Sequence, residues 1–163
     1  QAGRDAGATV ILNPAPARPG AERLFHLADY ITPNEIEAES FSQCLRGALD
    51  LDEWCGLAAK ALRKQGAKRV VITLGKRGSY YGDEAKSFRT PPYPVEAVDS
   101  TAAGDAFSAA FAIQAALGID VEEALRFANA AGAITASRHG SRPSLPTIDD
   151  VNALMTRTEA LRR

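Results

Sequence analysis

Residues 69–78 read RVVITLGKRG, and this stretch decides the fold class. From Arg69 to Leu74 the apolar and β-branched residues form a continuous run between turn signals, which is typical of a strand covered on both faces. Strands of this kind lie centrally in parallel sheets. The glycines at both ends of residues 75–78 predict a turn into a strand at 79–81, and residues 85–89 are its candidate hairpin partner.

Upstream of this stretch, short strands alternate with helical segments. The predicted elements are a buried strand at 8–13, a helical segment at 21–28, a strand at 29–32, a helix opened by Asn34 as N-cap, and an amphipathic helix at 51–64. The last of these places Trp54, Leu57, Ala58, Ala61 and Leu62 on its packed face.

Downstream, the pattern is mostly helical, with helices predicted at 105–117, 121–137 and 148–161. A proline-rich segment and residues 95–98 precede them. Strands followed by helices predict an α/β sheet layered with helices. In such sheets ligands bind at the carboxyl ends of the strands, which here are followed by the loops at Asn34, at Gly75 and at 99–105.

The overall composition is that of an ordinary globular domain. The 163 residues are 45% hydrophobic and 24% charged, with a net charge of −1, which argues against nucleic-acid or membrane-surface partners bound by bulk electrostatics. No apolar run approaches the roughly 20 residues of a membrane span, so we expect a cytoplasmic protein. Cys44 and Cys55 lack metal-site or redox spacing and are interpreted as reduced, partly buried thiols.

The segment DSTAAGDAF, residues 99–107, carries the clearest chemical signal. Small residues before a long helix leave the first-turn N–H groups open to an anion, which also feels the positive end of the helix dipole. Asp105 lies in that turn and could take a proton from a substrate hydroxyl. On this pattern alone, Asp105 could equally be a helix-initiating acid and the alanines mere packing residues. The glycine patterns of P-loop and dinucleotide-binding proteins are absent from the sequence.

Taken together, several segments resemble the ribokinase/PfkB family of carbohydrate kinases. They are LNPAPA at 12–17, ITPNEIE at 31–37, ITLGKRG at 72–78, the segment 98–107, and FANAA at 127–131. Their order matches the C-terminal half of a family member across nearly the whole chain. NPAPA and TPNE favour the ribokinase branch over the fructokinase, ketodeoxygluconate kinase and adenosine kinase branches. The resemblance implies a ribokinase-like, Rossmann-type layered α/β/α sheet.

The resemblance also implies a reaction, the transfer of the ATP γ-phosphate to the primary hydroxyl of D-ribose. Asp105 would be the base, and the amides of Ala102, Ala103 and Gly104 the anion hole. Nucleotide-binding positions would be Asn34, Thr73, Leu74, Gly75, Lys76, Arg77, Gly78, Gly104, Asp105 and Asn129. Glu37 would help Asn34 organise Mg²⁺, although an Asn cap with first-turn acids is the better explanation of that pair when it is considered alone. A K⁺ activator would lie at Asp99, Thr101, Thr135, Arg138, Gly140 and Ser144.

The same resemblance implies that residues 1–163 are the nucleotide-binding and catalytic part of a longer domain. The N-terminal half and its β lid, which hold the sugar and form the dimer of a full-length parent, would be missing. The expected partners are ATP and a small sugar, with ribose preferred and neither nucleic acid nor membrane involved. Two alternatives stay open: a truncated, catalytically incompetent nucleotide-binding fragment, and another PfkB sugar kinase, such as a fructokinase or ketodeoxygluconate kinase.

Overall fold

The computed structural model describes residues 2–161. In chain order the elements are α1 (Ala2–Asp5), β1 (Ile11–Leu12), β2 (Tyr30–Ile31), α2 (Glu35–Ser42), α3 (Leu51–Lys64), β3 (Val70–Thr73), β4 (Ser79–Gly82), β5 (Ser87–Thr90), α4 (Ala103–Ala116), α5 (Val121–Ala136) and α6 (Ile148–Ala160). Short 3₁₀ helices cover Ala21–Leu27 and Gly75–Arg77. The predicted mixed α/β architecture is confirmed.

The chain forms two compact units. The sheet unit consists of the residues up to Leu74 together with Ser79–Arg89, and the helical unit consists of Gly75–Gly78 together with the residues from Thr90 onward. The chain therefore leaves the sheet unit at the end of β3 and re-enters it at the start of β4.

The sheet has five strands in the order β1-β2-β3-β4-β5. β1, β2 and β3 run parallel, and β4 pairs antiparallel with β3 through registers such as Ile72 with Tyr80. Val70, Val71 and Ile72 are fully buried, so β3 is the central, covered strand that the sequence predicts. Because β2 and β3 are parallel, their carboxyl ends lie at the same edge of the sheet.

The core of the sheet unit lies between this sheet and the helices α2 and α3. Trp54 and Leu62 of α3 are fully buried in it, and Phe25 meets Phe41 edge to face with ring centroids 5.4 Å apart. The indole Nε1 of Trp54 donates a hydrogen bond of 2.8 Å to the Cys44 carbonyl. Both cysteines are free thiols, as expected.

Three details differ from the sequence predictions. The strand predicted at 8–13 is only Ile11–Leu12, and both residues are half-buried, because β1 lies at the edge of the sheet. Residues 21–27 are 3₁₀ rather than α-helical. Leu57 was predicted on the packed face of α3 but is 46% exposed, whereas Cys55 and Ala59 are buried there.

The helical unit is built on the close packing of α4 against α5. A Cβ at Gly132 of α5 would lie 3.3 Å from the Ala103 carbonyl and 3.6 Å from Cβ of Phe107, so glycine permits this approach. The rings of Phe107 and Phe111 stack with centroids 6.4 Å apart. Within residues 2–161, no helix combines the length and apolarity needed to cross a bilayer.

Candidate functional site

The first turn of α4 is an open helix N-terminus with no side-chain cap. The helices α3, α5 and α6 begin with capping oxygens from Asp50, Asp120 and Thr147. α4 instead begins at Ala102, whose φ of 62° and ψ of 3° lie in the left-handed region. An L-residue there is strained by roughly 1–2 kcal/mol. No side chain therefore accepts a hydrogen bond from the first-turn N–H groups. The backbone is strained at the same place, and strain of this kind is typical of functional positions.

Gly104 and Asp105 form the exposed part of this turn. A Cβ at Gly104 would meet no atom within 4 Å, so the surrounding protein does not require glycine there. Among residues 2–161, no acceptor is bound to the amides of Gly104 and Asp105, and no donor is bound to the Asp105 carboxylate. The turn offers two N–H groups, a free carboxylate and room for a ligand beside the glycine.

One of the three predicted anion-hole amides, that of Ala103, is bound within the protein. The amide of Ala103 donates to the Ser100 carbonyl at 3.2 Å, because residues 100–103 close a turn ahead of the helix. Ala103 is therefore not a free donor in this conformation. Among residues 2–161, no acceptor is bound to the predicted amides of Ala102 and Gly104, and the Asp105 amide, which was not predicted, is a further available donor.

Asp99 holds the loop before α4 to the loop after α5. One carboxylate oxygen accepts from the Thr101 amide at 2.9 Å, and the other accepts from the Gly140 amide at 3.0 Å. The hydroxyl and the amide of Thr101, together with the Gly140 amide, lower the pKa of Asp99 to about 2. Three of the predicted K⁺-site residues, Asp99, Thr101 and Gly140, are thereby brought together.

The other predicted K⁺-site residues lie in or after the last turn of α5. The buried Thr135 hydroxyl donates to the Ala131 carbonyl at 3.0 Å, and the buried Ser144 hydroxyl donates to the Ser141 carbonyl at 2.7 Å. Arg138 pairs with Asp150 at 3.3 Å. The two hydroxyls use their protons within the protein and Arg138 is paired with Asp150, so a cation here would be held by backbone carbonyls and by hydroxyl lone pairs.

The turn Gly75–Gly78 fits closely against the segment after β5. Gly78 has a φ of 89°, and a Cβ on it would lie 2.1 Å from the Thr90 carbonyl oxygen and 2.9 Å from atoms of Pro91 and Pro92. No other residue type fits there without movement. Gly75, with a φ of 55°, faces open space, and Lys76 is exposed beside it while Arg77 is half-buried.

Asn129 approaches the same segment from α5. Its Nδ2 donates to the carbonyls of Thr90 and Pro91 at 3.3 and 3.2 Å, and the residue is buried. Asn129 is therefore a buried, hydrogen-bonded residue and not an exposed one on the helix surface. The structure places two predicted nucleotide-site residues, Gly78 and Asn129, against one short segment that the sequence analysis missed.

In the sheet unit, Asn34 and Glu37 form a reciprocal capping box. Asn34 Oδ1 accepts from the Glu37 amide, and Glu37 Oε2 accepts from the Asn34 amide, both at 2.9 Å. The start of α2 is held beside the end of β3, because the Thr73 amide donates to the Pro33 carbonyl at 2.9 Å and Asn34 forms a bridge with Thr73. Leu74, the next predicted site residue, is buried.

This capping box leaves few side-chain oxygen atoms that could bind a metal ion. Each side chain accepts a capping hydrogen bond with one oxygen, and Glu37 is only 6% exposed. No cluster of three or more acidic, His or Cys side chains that could hold a metal occurs within the described part of the chain. The second carboxylate oxygen of Glu37 and the side-chain NH₂ of Asn34 are left to orient the waters of a hydrated Mg²⁺, which keeps several of its waters in protein sites. The donor set fits such an outer-sphere role but not a full protein cage.

Comparison with known proteins identifies relatives of this architecture. Residues 1–148 match the model of the pfkB family carbohydrate kinases. The chain is 42% identical over 147 residues to the ribokinase of Bacillus subtilis (strain 168), which is 90% of this chain and 46% of that protein. A ribokinase from Thermotoga maritima superposes with a TM-score of 0.80 at 37% identity, covering 91% of this chain and 49% of its own.

A further solved structure, Arabidopsis thaliana ribokinase complexed with ribose and ATP, superposes with a TM-score of 0.84 at 32% identity, covering 93% of this chain and 48% of its own. The chain thus spans about half the length of the relatives that it matches. The family model covers residues 1–148, which include all the loops described above and end at the first residue of α6. The chain therefore belongs to the pfkB family of carbohydrate kinases.

Proposed function

We propose that residues 1–163 are the nucleotide-binding and catalytic part of an ATP-dependent sugar kinase, with D-ribose as the preferred acceptor. The observation that carries this proposal is the first turn of α4, where free amides and a free carboxylate stand side by side with space for a ligand. The family membership supplies the reaction class, and the ribose-and-ATP complex of the Arabidopsis relative supports the choice of substrates.

In the proposed reaction, the Asp105 carboxylate accepts the proton of the sugar's primary hydroxyl as its oxygen attacks the γ-phosphorus of ATP in line. The γ-phosphoryl group passes to the sugar, and ADP leaves. The amides of Ala102, Gly104 and Asp105 donate to the transferring phosphoryl oxygens, where negative charge is stabilised by fixed dipoles at a helix N-terminus. The Ala103 amide can join them only by giving up its bond to Ser100. Positioning and charge stabilisation supply most of the rate in this chemistry.

The nucleotide would contact the turn Gly75–Gly78, with Thr73 and Leu74 immediately before it in the chain. Asn129 acts through the segment Thr90–Pro91, whose carbonyls it holds, and is therefore proposed as a positioning residue. Lys76 is the exposed cation of the turn and would meet phosphate or solvent.

Mg²⁺, when bound with ATP, supplies charge neutralisation on the phosphates, and Glu37 and Asn34 would orient its waters. Replacing Glu37 by Gln separates this role from capping, because the Gln side-chain oxygen still accepts from the Asn34 amide. In a full-length protein carrying this chain, we expect Glu37→Gln to raise the Mg²⁺ concentration needed for half-maximal activity while the unfolding midpoint stays unchanged. Glu35→Gln, at the other acidic position of the same first turn, is the matched control.

We also propose that K⁺ binds through backbone carbonyls of the two loops that Asp99 joins. The observation in favour is the pair of hydrogen bonds that fixes residues 99–101 against Gly140. Exchanging K⁺ for Na⁺ in the assay of the full-length protein tests this, with lower activity expected in Na⁺. For that full-length parent we propose a homodimer, as the family resemblance implies.

The experiment that tests the proposed chemistry compares three variants of a full-length protein containing this chain. Asp105→Asn should lower kcat by about 100-fold or more, the range of a lost general base, and leave ATP binding intact. Gly104→Ala should leave the stability unchanged, since the alanine methyl group meets no protein atom within 4 Å. It should lower kcat, because the methyl group occupies space that the ligand needs. Asp149→Asn, at an exposed first-turn acid of α6, is the control and should have normal activity. Near-normal turnover of Asp105→Asn would refute the assignment.

A second candidate function follows from the length of the chain. Because it spans about half of its relatives, the isolated chain could bind nucleotide without transferring phosphate. Ribose-stimulated ADP release by the 163-residue chain would exclude that alternative. A panel of ribose, deoxyribose, fructose and ketodeoxygluconate, tested on the full-length protein, identifies the acceptor among the PfkB sugars.

A further inference from the structure

A cavity of about 320 Å³ lies in the helical unit, between the C-terminal end of α5, the helix α6 and the segment before α4. Its volume is at the lower end of the range of ligand pockets, about 300–1,000 Å³. Ile134 and Leu154 are buried in its lining, and Val95 is half-buried there. Ala153 is the fourth aliphatic residue of the lining. An apolar surface of this kind favours contact with the hydrocarbon part of a ligand.

Two arginines, one aspartate and one serine supply the polar part of the lining. Arg138 is bound to Asp150 through two contacts, from Nη2 to Oδ1 at 3.3 Å and from Nη1 to Oδ2 at 3.4 Å. Asp150 is itself fixed, because its Oδ2 accepts from the Thr147 amide at 2.9 Å. Ser137 donates its hydroxyl proton to the Ile134 carbonyl at 2.8 Å. These three side chains are therefore held in place by the protein.

Arg157 is the cation of the lining that the protein leaves unpaired. Within residues 2–161, its exposed guanidinium has no acidic partner and no hydrogen-bond acceptor. The helix supplies none, since the positions three and four residues away on either side are Ala153, Leu154, Ala160 and Leu161. Because Asp150 neutralises Arg138, the lining keeps a single net positive charge, which is that of Arg157.

We propose that this cavity is a binding site for a small aliphatic monocarboxylate, whose carboxylate pairs with Arg157 while its hydrocarbon chain lies against Ile134 and Leu154. A planar guanidinium binds a carboxylate through two parallel hydrogen bonds. Phosphate groups carry about two negative charges at neutral pH. Dicarboxylates and phosphate esters are disfavoured, because their second charge would be repelled by Asp150. Sugars are disfavoured because the aliphatic lining offers their hydroxyls no partner.

The cavity lies where two segments of the helical unit are joined. The backbone amides of Val98 and Asp99 donate to the Ala136 carbonyl at 2.8 and 3.1 Å. A ligand in the cavity contacts Val95 on one of these segments and Ser137 on the other, so it should slow the opening of these hydrogen bonds. The first segment leads directly into the first turn of α4, so occupancy of the cavity stiffens the approach to the candidate site.

The test titrates isocaproate into a full-length protein that contains this chain, with binding measured by isothermal titration calorimetry and ligand-observed NMR. We expect saturable binding in the millimolar range or tighter, and no competition from saturating ATP. Isocaproamide, which has the same shape without the charge, should bind about tenfold or more weakly, the effect of losing a charge-assisted hydrogen bond. Glutarate and inorganic phosphate should bind no more tightly than the amide.

Two variants with matched controls locate the site. Arg157→Gln should weaken isocaproate binding by about tenfold or more, whereas Arg126→Gln, at an exposed arginine of α5 outside the lining, should bind normally. Ala153→Phe should fill the cavity and abolish binding, whereas Asn152→Phe, at the preceding position of α6 and outside the lining, should not. All four positions are exposed, so we expect all four variants to fold, and far-UV circular dichroism checks this.

Hydrogen exchange supplies an independent readout, since isocaproate should slow the exchange of the Val98 and Asp99 amides severalfold. The proposal is overturned if isocaproate does not bind at millimolar concentrations, if isocaproamide binds equally well, or if Arg157→Gln and Arg126→Gln behave alike. Tighter binding of glutarate or phosphate would also overturn it, as would exchange that slows only outside the helical unit. Because the readouts are binding and exchange rather than turnover, an inactive protein would count against the proposed kinase chemistry and not against this site.

Discussion

Replacing Gly78 by alanine tests the close approach of the Gly75–Gly78 turn to the segment after β5. At a φ of 89°, the left-handed backbone destabilises alanine by roughly 1–2 kcal/mol. The added Cβ would also lie 2.1 Å from the Thr90 carbonyl oxygen, so the segment must move. Overpacking of this kind destabilises a protein by roughly 1–3 kcal/mol. We therefore expect Gly78→Ala to lower the free energy of unfolding by about 2–5 kcal/mol.

Gly75→Ala is the matched control, because Gly75 has a φ of 55° but no atom within 4 Å of its Cβ position. Only the backbone contribution applies there, about 1–2 kcal/mol. The assay is urea unfolding of both variants and the parent, followed by far-UV circular dichroism. With an m value of about 2 kcal/mol/M, a difference of about 2 kcal/mol between the variants separates their midpoints by about 1 M. Equal midpoints for the two alanine variants would refute the argument that tertiary contact, rather than φ alone, demands glycine at 78.

Three further predictions concern other contacts of the chain. Because the pKa of Asp99 is lowered to about 2, its stabilising contribution is present above the unfolded pKa of about 4 and is lost as pH falls. Asp99→Asn weakens the hydrogen bond from the Gly140 amide. The urea midpoint of this variant should therefore lie below that of the parent at neutral pH, and the two midpoints should converge towards about pH 2. Trp54→Phe leaves a cavity and an unpaired Cys44 carbonyl, so calorimetry should show a loss of about 2–4 kcal/mol. Asn34→Ala removes a helix cap and should destabilise by about 1 kcal/mol in urea unfolding, whereas Asn34→Asp keeps the cap and should not.

The parts of the fold that follow from local sequence were predictable. The α3 helix begins and ends where the sequence predicts, since Asp50 supplies the cap and Gly66 adopts a φ of 109° after the last turn. β3 occupies residues 70–73 of the strand predicted at 69–74, and its continuous apolar run reflects burial on both faces. The anion-binding interpretation of residues 99–105 also rests on local features, namely small residues and a helix start.

The remaining features depend on contacts between distant residues. Asn129 finds its partners 38 and 39 positions earlier in the chain, and nothing in FANAA indicates them. The φ of 89° favours glycine at position 78 locally, but the close approach of the Thr90 carbonyl oxygen, which excludes a Cβ there, is not indicated by the turn sequence. The exposure of Leu57 depends on which elements cover α3, and the engaged amide of Ala103 depends on how residues 100–103 turn. Periodicity and spacing carry no information of this kind.

The single tryptophan of the chain provides a spectroscopic reporter for one of the two units. Trp54 is fully buried in the sheet unit, so its emission should be blue-shifted in the folded protein and should move to the red when that unit alone opens. Circular dichroism at about 222 nm, a minimum in the spectrum of helices, instead draws much of its signal from α4, α5 and α6 of the helical unit. Recording both signals in one titration therefore shows whether the two units unfold together, without any label or engineered probe.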